Sequence, residues 1–383
     1  MRIAIVTTEF PTLSETFIAN KVKALAARGH TVRVFTGKKN NDLLTRFYEG
    51  NTTVSVVEFT IKNLLKNIAS HPLDLLKSVT ERKRKKYLYN ICRVRNINYF
   101  KPDISHFEFS GVGVDYLSVF NQIHGKKVVS CRGSGEKIKL LVSSERKKSF
   151  AQLMHASDSI HCVSADMQNT IKEYVEFNKT FINYPSIDAQ YFSRRIPFKR
   201  NSTPIIISIG RFTFQKNYLI GLLTMKNLAD RGIDFKWMIV GSGVQYEEIV
   251  FHIHQLQLQN IVELIGTKKS DEIKDLLEGA DIFFLPSVYE GIANAALEAM
   301  SMQLPLVSTT CGGMQEVITC GENGLLADVY DYKRLAAHIE YLLSHPAEAK
   351  VMGAAARERI LEQFTLEHQT NTFERIYKQL LTA

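Results

Sequence analysis

The stretch Pro286-Ser-Val-Tyr-Glu-Gly-Ile-Ala-Asn-Ala-Ala-Leu-Glu-Ala-Met300 decides the fold of the second half of this 383-residue chain. Two apolar runs flank it, Asp281-Ile-Phe-Phe-Leu285 before and Gln303-Leu-Pro-Leu-Val-Ser308 after, and both are typical of buried parallel strands. The stretch itself starts as a loop and continues into residues rich in Ala, Leu and Met, which are strong helix formers. The sequence therefore predicts a strand–loop–helix–strand unit. In open α/β sheets, ligands bind where such a strand ends and such a helix begins.

Two carboxylates, Glu290 and Glu298, stand eight residues apart across this junction. On a helix, eight residues rise about 12 Å and return to within about 80° of the same face. One carboxylate can therefore hold one end of an extended ligand, and the second carboxylate the other end. The backbone N–H groups at the helix start would be free to bind a phosphate. Four residues carry those groups: Gly291, Ile292, Ala293 and Asn294.

The Glu-x7-Glu spacing resembles an element of family 4 of the retaining glycosyltransferases. The flanks agree as well, with Ser-x-Tyr-Glu-Gly before the element, Leu-Glu-Ala-Met at its end, then Cys311-Gly-Gly-Met-Gln-Glu-Val317 and Gly321-Glu-Asn-Gly-Leu325. The resemblance is strong from Gly210 to Leu326 and looser over the first half of the chain. It implies the GT-B fold, an α/β architecture of two Rossmann-like, doubly wound parallel-sheet domains that face a central cleft.

The length of 383 residues suits two domains. We expect an acceptor-binding domain over residues 1–195 and a nucleotide-sugar-binding domain over residues 204–365. The segment between them, residues 194–204, is basic, turn-rich and without periodicity, which indicates a linker. Just before it, Phe181-Ile-Asn-Tyr-Pro-Ser-Ile-Asp188 resembles the hinge of the family. The resemblance also implies that a last helix, residues 366–383, packs back on the first domain.

The composition is that of a globular protein, with 45% hydrophobic and 10% aromatic residues. No apolar run reaches the roughly 18 residues of a membrane span, and the N-terminus lacks the apolar core of a signal peptide. The five cysteines are dispersed and form no Cys-x-x-Cys pair. These features predict a protein of the reducing cytoplasm and no metal cluster.

The charge is unevenly distributed along the chain. Residues 1–200 hold 33 Lys and Arg against 17 Asp and Glu, whereas residues 201–383 hold 15 against 22. Such a split indicates that one half meets an anionic partner. The run Glu81-Arg-Lys-Arg-Lys-Lys86, which adjoins apolar segments, is typical of a helix at an anionic membrane surface. A solvated basic face is the alternative, and no nucleic-acid-binding motif accompanies the charge, so nucleic acid is not expected as a partner.

The family adds an expectation about the acceptor, since its acceptors are often lipid-linked. The resemblance therefore implies a glycan or polyprenyl-diphosphate-linked acceptor. Together with the basic first half, it predicts a cytoplasmic protein that lies peripherally at the inner face of the cell membrane.

The N-terminus predicts a strand over residues 3–6 and a helix over residues 15–28, with Thr12 and Glu15 at the spacing of a capping box. The intervening sequence resembles the Phe-Pro-x-Leu-Ser-Glu-Thr-Phe segment of family members that build bacterial surface polysaccharides. The resemblance implies that this loop approaches both the acceptor and the donor. Its candidate residues are Thr12, Leu13, Ser14 and Glu15.

Most of the family carries a histidine beside the reacting sugar, after the strand that matches residues 126–130. Here the matching position is Arg132, within Cys131-Arg-Gly-Ser-Gly-Glu136. His106, at the end of the preceding predicted strand, is the neighbouring candidate for a catalytic role. A histidine at a strand end is more often structural than catalytic, and the sequence leaves open whether His106 or Arg132 replaces the usual histidine.

The second predicted domain begins with the buried strand Ile205-Ile-Ile-Ser-Ile-Gly210, followed by Arg211-Phe-Thr-Phe-Gln-Lys216. A planar guanidinium fork and an ammonium five residues apart suit a diphosphate, and the resemblance assigns that role to Arg211 and Lys216. Further strand ends lie at Gly241, Gly266 and Thr267, where relatives hold the nucleotide. A lone Gly-x-Gly, as at Gly241, is by itself a weak signal.

The reaction implied by the resemblance is transfer of a hexosyl group from a nucleotide-sugar donor to a hydroxyl, with retention of the anomeric configuration. The leaving nucleoside diphosphate gains negative charge, so catalysis needs preorganised positive groups. The resemblance gives the donor sugar to Glu290 and the ribose to Glu298. Since the chain contains no Asp-x-Asp pair, we expect neither a metal nor a cofactor. A degenerate GT-B protein that binds a nucleotide-sugar without transferring it is the main alternative. An NAD-dependent oxidoreductase is the second, and a GT-B epimerase or phosphorylase is a third, weaker one.

Overall fold

The computed structural model describes residues 1–12, 15–48, 54–59, 81–197 and 201–382. It divides into two compact units, of which the first comprises Met1–Asn183 with Gln369–Ala383 and the second Tyr184–His368. The division lies ahead of residues 194–204, where the sequence indicated a linker. Of those residues, Arg194 donates hydrogen bonds to the carbonyl oxygens of Met302 and Glu278 at 2.7 and 3.0 Å, which fastens this segment to the second unit.

The first unit is built on a sheet of seven parallel strands in the order β3-β2-β1-β4-β5-β6-β7. Because β1 lies in the middle and the chain winds outward on both sides, the sheet is doubly wound. Apolar residues fill both faces, as a parallel sheet covered by helices requires. The strands are β1 (Arg2–Phe10), β2 (Thr31–Lys39), β3 (Ser55–Glu58), β4 (Ile104–Phe107), β5 (Lys126–Cys131), β6 (Ser159–Cys162) and β7 (Thr180–Ile182).

Helices flank this sheet, and the last one comes from the C-terminal end of the chain. Its residues Phe373 and Tyr377 are fully buried in the core of the first unit with Ile5 and Val128. The described helices of this unit are Thr16–Ala27, Asn41–Tyr48, Glu81–Tyr99, Ser110–Asp115, Ser134–Lys137, Lys139–Val142, Ser144–Ala156, Ala165–Ile171 and Leu366–Thr382, with 3₁₀ turns at Leu117–Gln122 and Phe177–Lys179.

The second unit contains a sheet of six parallel strands in the order β10-β9-β8-β11-β12-β13. Its first strand is again internal, so this sheet is also doubly wound. Trp237 of β9 is fully buried in its core. The strands are β8 (Ile205–Ile209), β9 (Lys236–Val240), β10 (Val262–Gly266), β11 (Ile282–Leu285), β12 (Leu306–Thr309) and β13 (Leu325–Ala327).

Seven helices of the second unit are described, together with a 3₁₀ turn at Phe214–Lys216. Pro346 occupies the first turn of the longest of them, where its missing N–H has no helical partner to lose. The helices are Tyr218–Asp230, Tyr246–Gln255, Ser270–Gly279, Asn294–Ser301, Met314–Val317, Tyr332–Ser344 and Pro346–Gln363.

The two Rossmann-like parallel sheets confirm the predicted fold class, and most elements lie within a few residues of their predicted bounds. The first helix differs, because it begins at Thr16 and the side chain of its N-cap residue, Glu15, makes no capping bond. Thr12 Oγ1 does accept a hydrogen bond from the Glu15 backbone N–H at 3.1 Å, so half of the capping box is present. The sequence predicts a helix over residues 165–176, but the observed helix ends at Ile171. The sequence also has apolar residues at helical spacing over residues 61–79, a prediction that lies outside the described residues.

In the part of the chain that the structure describes, no helix combines the length and the apolar character needed to cross a bilayer. The predicted basic run falls on the start of the helix Glu81–Tyr99.

Candidate active site

The candidate site of the second unit lies at the carboxyl edge of its sheet, where β8 and β11 are neighbours. The chain leaves β8 toward β9 on one side and returns to β11 on the other, so this is the point at which the strand order reverses. Loops leaving such a switch point diverge and leave a crevice for a ligand. Residues 210–217 follow β8 and residues 286–293 follow β11. All the charged residues that the sequence assigned to the diphosphate and the donor sugar are therefore on these two loops.

Glu290 is the centre of this edge. Its side chain is only 6% exposed, and Lys216 Nζ lies 2.7 Å from its Oε1 in an ion pair. Gln215 Nε2 donates to Oε2 at 2.8 Å, and the Ser287 hydroxyl donates to Oε1 at 2.8 Å. The backbone N–H of Val288 also donates to the Gln215 carbonyl at 2.8 Å, which ties the two loops together. The carboxylate is thus fixed by three side chains and does not depend on a ligand for its orientation.

Lys216 is held as firmly as its partner. It ends the 3₁₀ turn Phe214–Lys216, and its side chain is 12% exposed. The stem of the side chain crosses Gly210 so closely that a Cβ there would lie 2.7 Å from Lys216 Cε. A glycine at the end of β8 therefore allows the lysine to reach back over the strand end.

Arg211 differs from Lys216, because it is exposed and forms no ion pair or hydrogen bond with any described side chain. The structure thus offers one buried, prepaired cation and one open guanidinium fork at the same strand end. An anion that approached this edge would meet Arg211 without first displacing a protein carboxylate. This pair of cations, one fixed and one open, fits a diphosphate.

The helix Asn294–Ser301 begins at the same edge. Its N-cap residue Ala293 has no side chain that could cap the first N–H groups. Gly291 and Ile292 precede it in a buried loop. Among the described residues, no side chain caps the N–H groups at the start of this eight-residue helix, and together with the helix dipole these groups favour an anion.

Glu298 lies on the second turn of that helix, whereas Glu290 lies in the loop before it. The two acids therefore lie on either side of the junction between loop and helix, and the rise and rotation of a continuous helix do not apply to their whole separation. The Glu298 side chain is partly exposed but receives no hydrogen bond from any described residue. Burial raises the pKa of its carboxyl from 4.5 to about 8. An acid without a hydrogen-bond partner among the described side chains, at the edge where a ligand would lie, is suited to accept hydrogen bonds from ligand hydroxyls.

The raised pKa of the Glu298 carboxyl predicts how the stability of the ligand-free protein depends on pH. A carboxyl pKa raised from 4.5 to about 8 costs no stability below pH 4.5, and the cost grows between pH 4.5 and about 8 and is constant above that. We expect Glu298→Gln to have the same melting temperature as the wild type near pH 5 and to exceed it by about 3–6 °C at pH 8.5, since about 1–2 kcal/mol remains after discounting for partial exposure.

Scanning calorimetry at the two pH values measures this difference. Glu263→Gln is the matched control, because Glu263 is an exposed carboxylate of β10 in the same unit. Its melting temperature should follow the wild type at both pH values. A Glu298→Gln protein no more stable than wild type at pH 8.5 would show that the carboxyl is not strained.

Three further predicted residues line the other half of the same edge. The Gly241 N–H donates to the Gly266 carbonyl at 2.9 Å, which joins the ends of β9 and β10. Thr267 follows directly and is exposed. These residues follow strands on the far side of β8 from Glu290, so the edge can hold a ligand that extends across several strand ends.

Two predicted site residues of the first unit, Arg132 and His106, lie at or near the ends of neighbouring strands. Of the two, only Arg132 is accessible. Arg132 directly follows β5, and its side chain is 10% exposed. Its Nη2 lies 2.7 Å from Glu108 Oε2, and its Nε donates to the Glu108 carbonyl at 2.9 Å. The ring of Phe17 lies 4.3 Å from the guanidinium carbon.

His106 is fully buried, which favours the structural role over the catalytic role that the sequence left open for it. Its Nε2 is 2.7 Å from the Ser130 hydroxyl, and its Nδ1 is 2.5 Å from the Tyr377 hydroxyl. Burial and the nearby charges of Lys21 and Arg132 lower its pKa well below 6.5. A neutral histidine whose two ring nitrogens are both bound inside the core has a structural role, and Arg132 is left as the candidate at this edge.

The predicted acceptor loop is described only in part. Thr12 and Glu15 are described, with the hydrogen bond given above, whereas Leu13 and Ser14 lie outside the described residues.

Two residues of the second unit that bind Glu290, Gln215 and Ser287, are not among those that the sequence predicted. Ser287 stands in the same Ser-x-Tyr-Glu motif, three residues before the acid, and Gln215 directly precedes Lys216.

Among the described residues, no group of three or more His, Cys, Asp or Glu side chains is arranged to hold a metal ion. The expectation that no metal takes part therefore stays a prediction.

Sequence comparison identifies two families that together cover most of the chain. Residues 14–191 match the family described as Glycosyltransferase Family 4, and residues 190–359 match the family described as Glycosyl transferases group 1. The boundary between the two matches falls within ten residues of the division between the two structural units.

Two curated relatives are similar to this chain over nearly its full length. The chain is 27% identical to the putative colanic acid biosynthesis glycosyltransferase WcaL of Escherichia coli (strain K12), a match that covers 88% of this chain and 90% of the relative. It is 26% identical to the amylovoran biosynthesis glycosyltransferase AmsK of Erwinia amylovora, over 95% of this chain and 96% of the relative.

Solved structures share the fold at low sequence identity. The sucrose-phosphate synthase of Thermosynechococcus elongatus superposes with a TM-score of 0.80 at 18% identity, over 100% of this chain and 99% of that one. The Anabaena protein HepE, solved in complex with UDP-glucose, gives a TM-score of 0.79 at 15% identity, over 99% of this chain and 100% of that one.

Proposed function

The chain belongs to the family 4 and group 1 glycosyltransferases, and from that premise we propose that it moves a sugar from a nucleotide-sugar to a hydroxyl of a glycan or lipid-linked glycan. The reaction retains the anomeric configuration and requires no metal. The observation that carries the proposal is the pairing of Lys216 with Glu290 at the switch point of the second sheet, 2.7 Å apart and almost fully buried.

The proposal divides the ligand among the groups of this edge. Arg211, Lys216 and the N–H groups at the start of the helix Asn294–Ser301 meet the diphosphate, where negative charge accumulates as the sugar–oxygen bond breaks. Because Lys216 and the N–H groups of the helix start are fixed before the donor binds, they need little reorganisation during the reaction. Lys216 is paired with Glu290, so in this proposal the same lysine contacts the carboxylate that binds the donor sugar and meets the diphosphate.

Two acids bind hydroxyls in this proposal. Glu290, oriented by Gln215 and Ser287, accepts hydrogen bonds from the donor sugar. Glu298 binds the ribose and, on doing so, gains the hydrogen-bond donors that the protein does not supply to it. Carbonyl and amide groups near Gly241, Gly266 and Thr267 bind the base of the nucleotide in this proposal.

The names of the relatives and of one structural neighbour support the class of substrate. WcaL and AmsK are named for colanic acid and amylovoran biosynthesis, and HepE is solved with UDP-glucose. We therefore place this chain in the synthesis of a bacterial surface polysaccharide, with a nucleotide-sugar as the donor. A polyprenyl-diphosphate-linked glycan is the acceptor that accords with the excess of Lys and Arg in residues 1–200.

The same excess, 33 basic against 17 acidic residues, supports attachment of the first unit to an anionic membrane at the inner face of the cell membrane. Flotation with vesicles containing phosphatidylglycerol measures this. Binding should be strong at low salt and weak at high salt, and protein that stays at the bottom of the gradient at low salt would refute the attachment.

The stereochemical and metal parts of the proposal are tested in one reaction. The protein is treated with EDTA and incubated with a donor and a simple alkyl glycoside, and the product is examined by proton NMR. We expect an α-linked donor to give an α-linked product at the same rate with and without EDTA. A β-linked product would exclude retention. Loss of the rate in EDTA with recovery in magnesium would exclude metal independence, and donor binding without any product would favour the degenerate binding protein.

A further inference from the structure

A second group of charged side chains lies in the first unit, beneath the carboxyl edge of its sheet. Lys21 and Glu108 are 2% and 0% exposed and form an ion pair through Glu108 Oε1. The other oxygen of Glu108, Oε2, pairs with Arg132 Nη2 at 2.7 Å. One carboxylate therefore bridges two cations, with the lysine inside the protein and the arginine at the surface.

The origin of each residue explains the geometry. Lys21 belongs to the helix Thr16–Ala27, and it reaches inward to the end of the sheet. Glu108 directly follows β4, and Arg132 directly follows β5, and these strands are paired in the sheet. Both side chains therefore leave the same edge, and the lysine lies behind them.

Arg132 is held in one orientation by several contacts. Its Nε and Nη2 bind the carbonyl and the carboxylate of Glu108, and the Phe17 ring covers its guanidinium carbon at 4.3 Å. Its remaining nitrogen, Nη1, forms no hydrogen bond with any described residue. The guanidinium thus has a fixed plane and an unused donor.

The charges around Arg132 do not balance. Glu136, the nearest further carboxylate, accepts hydrogen bonds from the N–H groups of Arg132 and Gly133 at 3.2 and 3.1 Å and from the Ser110 hydroxyl. Arg146 also donates to Ser110, at 2.9 Å, and its Nε is buried without a partner. Among the contacts of the described residues, three cations, Lys21, Arg132 and Arg146, surround two carboxylates, Glu108 and Glu136, which leaves an excess of one positive charge.

We propose that Lys21 and Glu108 are a positioning pair that presents the Arg132 guanidinium to a phosphate or diphosphate group of a substrate at the carboxyl edge of the first sheet. An anion at this edge would neutralise the excess positive charge and accept a hydrogen bond from the unused Nη1 of Arg132. This inference rests on the proposed function, because it gives the first unit the anionic group of a lipid-linked acceptor. Glu108 acts through Arg132, and Lys21 acts through Glu108.

The role of Lys21 follows from the burial of Glu108. A fully buried carboxylate with Arg132 as its sole cation would pull the guanidinium inward, away from the surface. Because Lys21 binds Oε1 from inside, Oε2 alone is turned to the edge, and the arginine stays there. The same division of the two oxygens fixes the plane of the guanidinium, which an anion has to match for two-point hydrogen bonding.

Titration with inorganic pyrophosphate by calorimetry tests the proposal without a donor or an acceptor. The wild type is compared with Arg132→Ala, Glu108→Gln and the double variant. Pyrophosphate that binds elsewhere is unaffected by Arg132→Ala, so only the binding lost in that variant is counted. We expect about a 30-fold loss in Arg132→Ala, about a 10-fold loss in Glu108→Gln, and in the double variant no more loss than in Arg132→Ala alone, because Glu108 acts only through the arginine.

Two controls keep the result interpretable if Glu108→Gln folds poorly. Lys21→Met with Glu108→Gln removes both buried charges together, so it should fold and bind as weakly as Glu108→Gln. Lys127→Met removes a cation that pairs with Asp158 at 3.4 Å and lies at the start of β5, the opposite edge of the same sheet. Its pyrophosphate binding should equal that of the wild type.

The proposal is overturned by pyrophosphate binding that does not depend on Arg132, or by losses that multiply in the double variant. Multiplied losses would mean that Glu108 acts on the fold and not through the arginine. Neither outcome tests the proposed nucleotide site of the second unit. Conversely, a protein that binds pyrophosphate through Arg132 but releases no nucleotide from any donor would leave this inference standing and refute the proposed transfer.

Discussion

Replacing Glu290 by Gln, or Lys216 by Met, is expected to lower kcat/KM for the donor by about 100- to 1,000-fold, the usual cost of removing a preorganised charge from a transition-state site. Each single change also leaves its partner buried and uncompensated, because the two side chains are only 6% and 12% exposed. Removing one member of a buried pair costs about 3–5 kcal/mol of stability. Activity and stability therefore fall together in either single variant.

The double variant Lys216→Met/Glu290→Gln separates the two effects. It replaces both charges with neutral side chains of similar size, so its stability should return to within about 1–2 kcal/mol of the wild type. Its activity should stay as low as that of the singles. Lys226→Met is the control, because Lys226 pairs with Asp230 on an exposed helix face. Donor turnover by a stable double variant at the wild-type rate would show that the pair is not part of the active site.

Gly312→Ala is expected to remove activity through the backbone of Glu290. Gly312 has a φ of +54°, and a Cβ there would lie 2.0 Å from the Glu290 carbonyl oxygen. The loop that carries Glu290 would have to move, and the carboxylate would lose its alignment with Lys216 and Gln215. We expect a loss of about 3 kcal/mol or more in stability and of at least about 100-fold in kcat/KM.

Gly321→Ala is a matched control for this variant. Gly321 has a φ of +90°, but its added Cβ would meet nothing within 4 Å. It should therefore cost only the roughly 1–2 kcal/mol of a left-handed alanine and leave activity unchanged. Urea unfolding and donor turnover measured on both variants give the comparison. Equal effects in the two would mean that the contact with Glu290 has no consequence of its own.

The sequence alone predicted the parts of the site that depend on the order of strands, loops and helices along the chain. The strand–loop–helix order around Pro286–Met300 placed Glu290 at a strand end, and the strand ahead of Arg211 placed Lys216 at another. Parallel strands bring their carboxyl ends to one edge, so both residues had to lie on the same side of the sheet. Local order did not show that the two side chains pair, since 74 residues separate them.

The sequence was insufficient where distant segments decide the environment. His106 is covered by Tyr377, which is 271 residues away, and a strand-end pattern carries no information about that helix. Lys21 has the appearance of an ordinary helix lysine, and its burial depends on Glu108 and Phe373. Glu298 has the expected spacing, but its raised pKa follows from burial without a hydrogen-bond donor, which only the packed structure defines.

Release of nucleoside diphosphate from a panel of UDP-, GDP- and ADP-sugars tests the central claim most directly. The wild type should release the nucleotide of one series, in the presence of a lipid extract as a source of acceptor. The stable Lys216→Met/Glu290→Gln variant should release at least about 100-fold less. Equal release by the two proteins, or a wild type that neither binds nor turns over any donor, would contradict the account.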